Sequence, residues 1–146
     1  MTTLFKIIAL IFAVLFAFGA AVQYNDPDSF IWILIYAVAA FLSVLFVLKK
    51  VSFYTYMVPT IIAFIGFFVS YPETFEGFEI GAGDIKNIEE GREAYGLLII
   101  ALVMGVYTAR SWWLAKKNPK RPNQIPFEVA LGPDFFPLIS RIFQRE

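Results

Sequence analysis

Four apolar stretches constrain this 146-residue chain more than any other feature. They cover residues 4–22, 30–48, 53–71 and 94–115. An α-helix needs about 20 apolar residues to cross the hydrocarbon layer of a bilayer. The stretches are apolar on every face, unlike the helices of a soluble bundle, and they lack the alternation of a membrane β-barrel. The sequence therefore predicts an all-α integral membrane protein with four transmembrane helices in a domain of residues 1–115.

The first stretch raises the alternative of a cleaved secretory signal. The small residues around Gly19–Ala21 would suit a cleavage site. The apolar run that precedes them is longer than the core of a usual signal peptide, however. We therefore expect this stretch to be retained as the first span.

The charged residues divide unequally between the two sides of the predicted membrane. The N-terminus, the second connection and the C-terminal region together carry ten of the 12 basic and three of the 12 acidic residues. The first and third connections carry the other two basic and nine acidic residues. The positive-inside rule then predicts cytoplasmic N- and C-termini and two acidic outer connections. This pattern suits a bacterial inner membrane, although a eukaryotic endomembrane obeys the same rule.

The composition narrows the chemistry. The chain has no histidine and no cysteine, which excludes disulfides, zinc fingers, bis-histidine haem, iron–sulfur clusters and the Ser-His or Cys-His forms of nucleophilic catalysis. The balanced formal charge argues against a nucleic-acid partner. We therefore expect no enzyme activity, no cofactor and no metal.

Small residues recur every fourth position on two of the predicted helices. Such ridges let helix backbones approach closely within a membrane. We expect the first and fourth helices to pack on each other, while use of one ridge by another subunit stays open. The ridges consist of Ala9, Ala13, Ala17 and Ala21 on the first helix and Ala101, Gly105 and Ala109 on the fourth.

The C-terminal region differs from the rest. Residues 116–126 are basic and contain prolines, which predicts an extended linker. Residues 127–146 form a cytoplasmic tail with apolar residues at helical spacing. This pattern predicts an amphipathic interfacial helix on the anionic cytoplasmic leaflet, or docked in a partner groove. The apolar face consists of Phe135, Leu138, Ile139, Ile142 and Phe143.

Two polar motifs flank the spans on the predicted outer side. In QYNDPD, residues 23–28, turn and helix-capping chemistry is expected. The second motif, EEGRE, occupies residues 89–93. We expect these motifs to cap helices and to form an ion pair from Arg92 to Asp26 or Asp28. The alternatives are a cation site and a pair of carboxylates that performs acid–base chemistry. The residues involved are Asn25, Asp26, Pro27, Asp28, Glu89, Glu90, Arg92 and Glu93.

These motifs, placed as they are relative to four short spans, resemble the transmembrane protein 220 family over about residues 4–115. The resemblance implies the four-span fold and its topology, and it implies no reaction, substrate or cofactor. It does not extend to the region beyond about Lys116. The matching positions are Asn25, Asp26, Pro27, Asp28, Glu90, Gly91, Arg92, Glu93 and Gly96.

Two classes of function remain open from the sequence. The middles of the spans carry no Asp, Glu, Lys or Arg, whereas ion paths and proton relays normally need such residues. We therefore expect a small non-enzymatic accessory or scaffolding subunit, in contact with the lipid bilayer and with other membrane protein subunits. The alternative is a homo-oligomeric channel or transporter with an outer carboxylate cation site.

Overall fold

The computed structural model describes residues 3–25, 28–48, 52–79, 81 and 83–117. Within these ranges the chain is all-helical, which confirms the predicted fold class. The predicted amphipathic tail, with Phe135 to Phe143, and the linker beyond Lys117 lie outside the described residues. The elements are α1 (Thr3–Val22), a 3₁₀ turn (Gln23–Asn25), α2 (Ser29–Leu48), α3 (Phe53–Val69) and α4 (Ile85–Lys117).

The helix lengths suit a bilayer. Helices α1, α2 and α4 are each long and apolar enough to cross a membrane. Helix α3 is apolar and has 17 residues, the lower limit for a span. Helix α4 has 33 residues and begins well before its apolar part, so the EEGRE motif lies on helix rather than in a loop.

Helices α1 and α2 pack against each other within one compact unit. Gly19 of α1 permits this approach, because a Cβ atom there would lie 3.0 Å from the Tyr36 ring of α2. The Phe16 and Tyr36 ring centroids are 6.4 Å apart. On the predicted α1 ridge, Ala9 and Ala13 are buried. Ala17 and Ala21, nearer the C-terminal end of the helix, are exposed.

Residues Tyr54–Arg110 form a second compact unit, in which α3 packs on α4. A Cβ atom at Gly66 would lie 3.0 Å from Leu97, and one at Gly105 would lie 3.6 Å from Thr60. Gly105 of the predicted α4 ridge therefore faces α3. On either side of it, Ala101 is buried and Ala109 is exposed. The proposed packing of α1 on α4 stays a prediction.

Three hydroxyl groups in the described spans bond to carbonyl groups of their own helices. Ser43 Oγ donates to the Ala39 carbonyl, and Thr60 Oγ1 donates to the Tyr56 carbonyl. Thr108 Oγ1 likewise donates to the Met104 carbonyl. Each bond closes one helical turn, so these polar groups are satisfied without solvent.

Candidate functional site

The candidate site is the connection from α3 to α4, together with the first three turns of α4. We call residues 70–79 the docked loop, because they return to α4 and contact it. Asp84 caps α4: its Oδ1 accepts the Lys86 backbone N–H at 2.9 Å. Glu76 Oε2 in turn accepts the Asp84 backbone N–H at 2.6 Å. The docked loop is thereby tied to the residue at which the helix starts.

Gly91 provides the surface on which the loop lies. It is buried on α4, and a Cβ atom there would lie 3.6 Å from the Phe75 ring and 3.7 Å from the Gly77 carbonyl oxygen. Both distances are ordinary van der Waals contacts, so a side chain as small as that of alanine or cysteine fits beneath the loop, whereas a bulkier one would displace these two residues. Gly77 has a φ of 86°, a left-handed conformation that glycine adopts without the steric cost of a Cβ atom. The small residue at position 91 and the left-handed conformation of Gly77 thus suit the contact between loop and helix.

Arg92 fastens the loop from the next position along α4. Its Nη2 and Nε groups donate to the Phe78 carbonyl oxygen at 2.7 and 3.1 Å. Hydrogen bonds from a charged donor are stronger than those between neutral groups. The acceptor is a backbone atom, so the bond fixes the path of the loop without depending on the side chain at residue 78.

Aromatic side chains complete the contact, and we call this group the aromatic patch. Tyr95 of α4 is at its centre. Ring centroids of the other members lie between 5.2 and 6.5 Å from that of Tyr95, in the range of favourable edge and tilted aromatic contacts. The aromatic patch consists of Phe67, Tyr71, Phe75, Phe78 and Tyr95.

The aromatic patch is open to its surroundings, with acidic residues nearby in the chain. Phe75 and Phe78 are 43% and 47% exposed, and Tyr71 is 44% exposed. Glu73, Glu79 and Glu89 are exposed as well. An ordered apolar surface with a polar rim is typical of a site that another molecule covers.

The QYNDPD motif lies in the other compact unit, where Asp28 has a defined role. Its Oδ2 accepts the Trp32 Nε1–H group at 3.1 Å, and its backbone carbonyl accepts the Ile31 N–H at 3.0 Å. Asp28 thus directly precedes α2, and its carboxylate binds the side chain of a buried tryptophan. The helix-capping role expected of its carboxylate stays a prediction. Asn25 ends the 3₁₀ turn, whereas Asp26 and Pro27 lie outside the described residues.

The acidic residues of EEGRE have different surroundings. Glu90 pairs with Lys86 across one helical turn, with Oε1 and Nζ 3.5 Å apart. Glu89 is exposed and Glu93 is half-buried. In the part of the chain that the structure describes, no three acidic side chains are grouped closely enough to hold a metal ion. The ion pair from Arg92 to Asp26 or Asp28 stays a prediction.

Sequence reasoning did not identify the aromatic patch. The available signal was the segment YPETFEGFE, residues 71–79, which places aromatic residues on either side of Gly77. Tyr95 follows Gly91 by one helical turn, on the same face of α4. An aromatic-rich loop with a central glycine, next to a helix with its own glycine and tyrosine, was the pattern to recognise.

In the part of the chain that the structure describes, the helices and their exposed apolar side chains define a helical integral membrane protein. The family model described as "Transmembrane family 220, helix" matches residues 15–109. The match covers more than half of the chain, and the protein belongs to this family. Comparisons with curated proteins and with solved structures gave no match.

Proposed function

We propose that this protein is a non-catalytic subunit of a larger membrane complex, and that it binds a partner protein through the aromatic patch. The observation that supports this proposal is the fixed, half-exposed set of rings on the docked loop. A loop that is already held in place loses less conformational entropy when a partner binds. Aromatic side chains are also the residues that most often dominate binding at protein interfaces.

Three hydroxyl groups within the spans favour the same proposal. Ser43, Thr60 and Thr108 each bond to a carbonyl of their own helix. Hydroxyls used in this way stabilise helices and their packing, whereas a conducting path needs polar groups directed into a water-filled cavity. A binding subunit therefore accounts for these groups better than a carrier does.

The charge distribution supports an orientation with both termini in the cytoplasm and the aromatic patch on the outer side. We further propose the plasma membrane, and the inner membrane if the source is bacterial. The outer connections contain a single lysine, Lys86; every other lysine lies in the regions proposed to be cytoplasmic. Lys86 is exposed and lies on the first turn of α4. Its amine is therefore a specific target for a cross-linking reagent within the candidate site.

Cross-linking through Lys86 tests the proposal. Spheroplasts that express the full chain are treated with a membrane-impermeant, amine-reactive cross-linker, and the purified products are identified by mass spectrometry. We expect one stoichiometric partner attached to Lys86, and at least a fivefold loss of this product in a Phe75→Ser/Phe78→Ser variant. That factor corresponds to about 1 kcal/mol of binding free energy, the usual threshold for an interface residue that matters.

Two controls make the result specific. Lys86→Arg keeps the charge and removes the reactive amine, so it should abolish the product. Tyr24→Ser removes a 70%-exposed aromatic side chain from the other outer connection and should leave the product unchanged. A partner captured equally by the Phe75→Ser/Phe78→Ser variant would disprove binding through the aromatic patch.

A further inference from the structure

The C-terminal end of α4 carries a second surface, separate from the aromatic patch. Two lysines lie there over two tryptophan rings. Lys116 Nζ is 5.5 Å from the centre of the Trp112 ring, and Lys117 Nζ is 4.9 Å from that of Trp113. Both distances lie within the roughly 6 Å range of cation–π attraction. Each pair spans one helical turn, so the two pairs stand side by side on the helix surface.

Both pairs are accessible from outside the protein. Trp112 and Trp113 are 51% and 45% exposed, and the two lysines are exposed. They lie at the C-terminal end of the apolar part of α4, and tryptophan at such a position lies at the headgroup level of a bilayer. The rings therefore hold two ammonium groups at the depth of the lipid phosphates.

We infer that the Trp112–Lys116 and Trp113–Lys117 pairs form a binding site for the headgroup of an anionic phospholipid. Two ammonium groups are complementary to a phosphodiester that carries a net negative charge. Because the rings restrict the lysine side chains, less conformational entropy is lost when a phosphate binds. Phosphatidylcholine fits less well, because it carries an ammonium group of its own. The lysines repel that group, and they already occupy the tryptophan rings to which it would bind.

Tryptophan fluorescence in vesicles tests the site, because Trp112 and Trp113 are two of the chain's three tryptophans. A Trp32→Phe substitution in every sample leaves these two as the emitting residues. The full chain is reconstituted into mixed phosphatidylglycerol and phosphatidylcholine vesicles in which one lipid carries bromine, which quenches tryptophan. The ratio of quenching by the two brominated lipids gives their relative binding constant. We expect a preference for phosphatidylglycerol that falls about fivefold for each lysine removed, and therefore most strongly in Lys116→Gln/Lys117→Gln.

Two matched variants separate a site from a generally basic surface. Lys49→Gln/Lys50→Gln removes the same number of charges from the side predicted to be cytoplasmic, and Lys86→Gln removes a charge at the other end of α4. Both should keep the preference for phosphatidylglycerol. An equal loss in Lys49→Gln/Lys50→Gln would overturn the site in favour of diffuse attraction. An unchanged preference in Lys116→Gln/Lys117→Gln would overturn it outright.

Discussion

Replacing Tyr95 with alanine is expected to release the docked loop from α4. The ring of Tyr95 contacts four others, those of Phe67, Tyr71, Phe75 and Phe78. Truncating a fully buried aromatic side chain costs about 3–5 kcal/mol. Tyr95 is half-buried, so we expect the free energy of opening the loop to fall by about 2 kcal/mol.

Limited proteolysis measures this opening. Chymotrypsin cleaves after aromatic residues that are not followed by proline, and the docked loop offers two such bonds, after Phe75 and Phe78. When opening is fast relative to cleavage, the rate follows the open population, so a loss of about 2 kcal/mol raises it roughly thirtyfold. Tyr95→Phe keeps the ring and should be cleaved at the rate of the unaltered protein. Equal rates for Tyr95→Ala and Tyr95→Phe would contradict the proposed packing.

Replacing Gly66 with leucine is expected to force α3 away from α4. A Cβ atom at this position already lies 3.0 Å from the buried Leu97 side chain, and leucine adds three further carbon atoms. Overpacking of this kind costs about 1–3 kcal/mol, and close contact is the main force that holds helices together in lipid. We expect Gly66→Leu to lower the free energy of unfolding by about 2 kcal/mol.

A second substitution makes this prediction specific to one contact. Leu97→Ala opens a space opposite residue 66, so the Gly66→Leu/Leu97→Ala double variant should recover at least half of the lost stability. Gly66→Ala is the milder control, because the end of the Leu97 side chain can shift by a few tenths of an ångström. Unfolding in mixed detergent, followed by circular dichroism, gives the required free energies. Strictly additive losses in the double variant would contradict the contact between residues 66 and 97.

The length and continuous apolarity of the spans were enough to predict the helices. Their faces were harder to assign, as Tyr54 and Tyr56 illustrate. Both fit a ring of interfacial aromatic residues, yet Tyr54 is exposed while Tyr56 is buried against Tyr107. Two residues apart on a helix, they point in nearly opposite directions. Which of the two faces α4 depends on helix rotation, and a uniformly apolar stretch does not specify it.

The contacts of the docked loop with α4 were not predicted, for a different reason. Arg92 binds a backbone carbonyl at residue 78, and every residue has such a carbonyl, whatever its side chain. The sequence therefore contains no matching partner for the arginine, and its acidic neighbours suggested ion pairs instead. Gly91 is part of the EEGRE motif, but its role can be assigned only when the loop that packs against it is known. The contacts join positions well separated along the chain, and only the return of the loop brings them together.

Cysteine labelling tests most directly whether the EEGRE segment of α4 holds the docked loop against Gly91. The chain contains no cysteine, so each introduced thiol reports a single position. Gly91→Cys and Glu89→Cys variants are treated with a bulky, water-soluble maleimide, with and without the added Arg92→Gln substitution. Residue 91 is buried and residue 89 is exposed on the same helix.

We predict that the thiol of Gly91→Cys reacts at least tenfold more slowly than that of Glu89→Cys, a difference of about 1.4 kcal/mol in the free energy of exposure. Adding Arg92→Gln should accelerate labelling at position 91 and leave position 89 unchanged, because loss of the bonds to the Phe78 carbonyl frees the loop. Equal labelling rates at the two positions, in the protein with Arg92 intact, would contradict the docked loop.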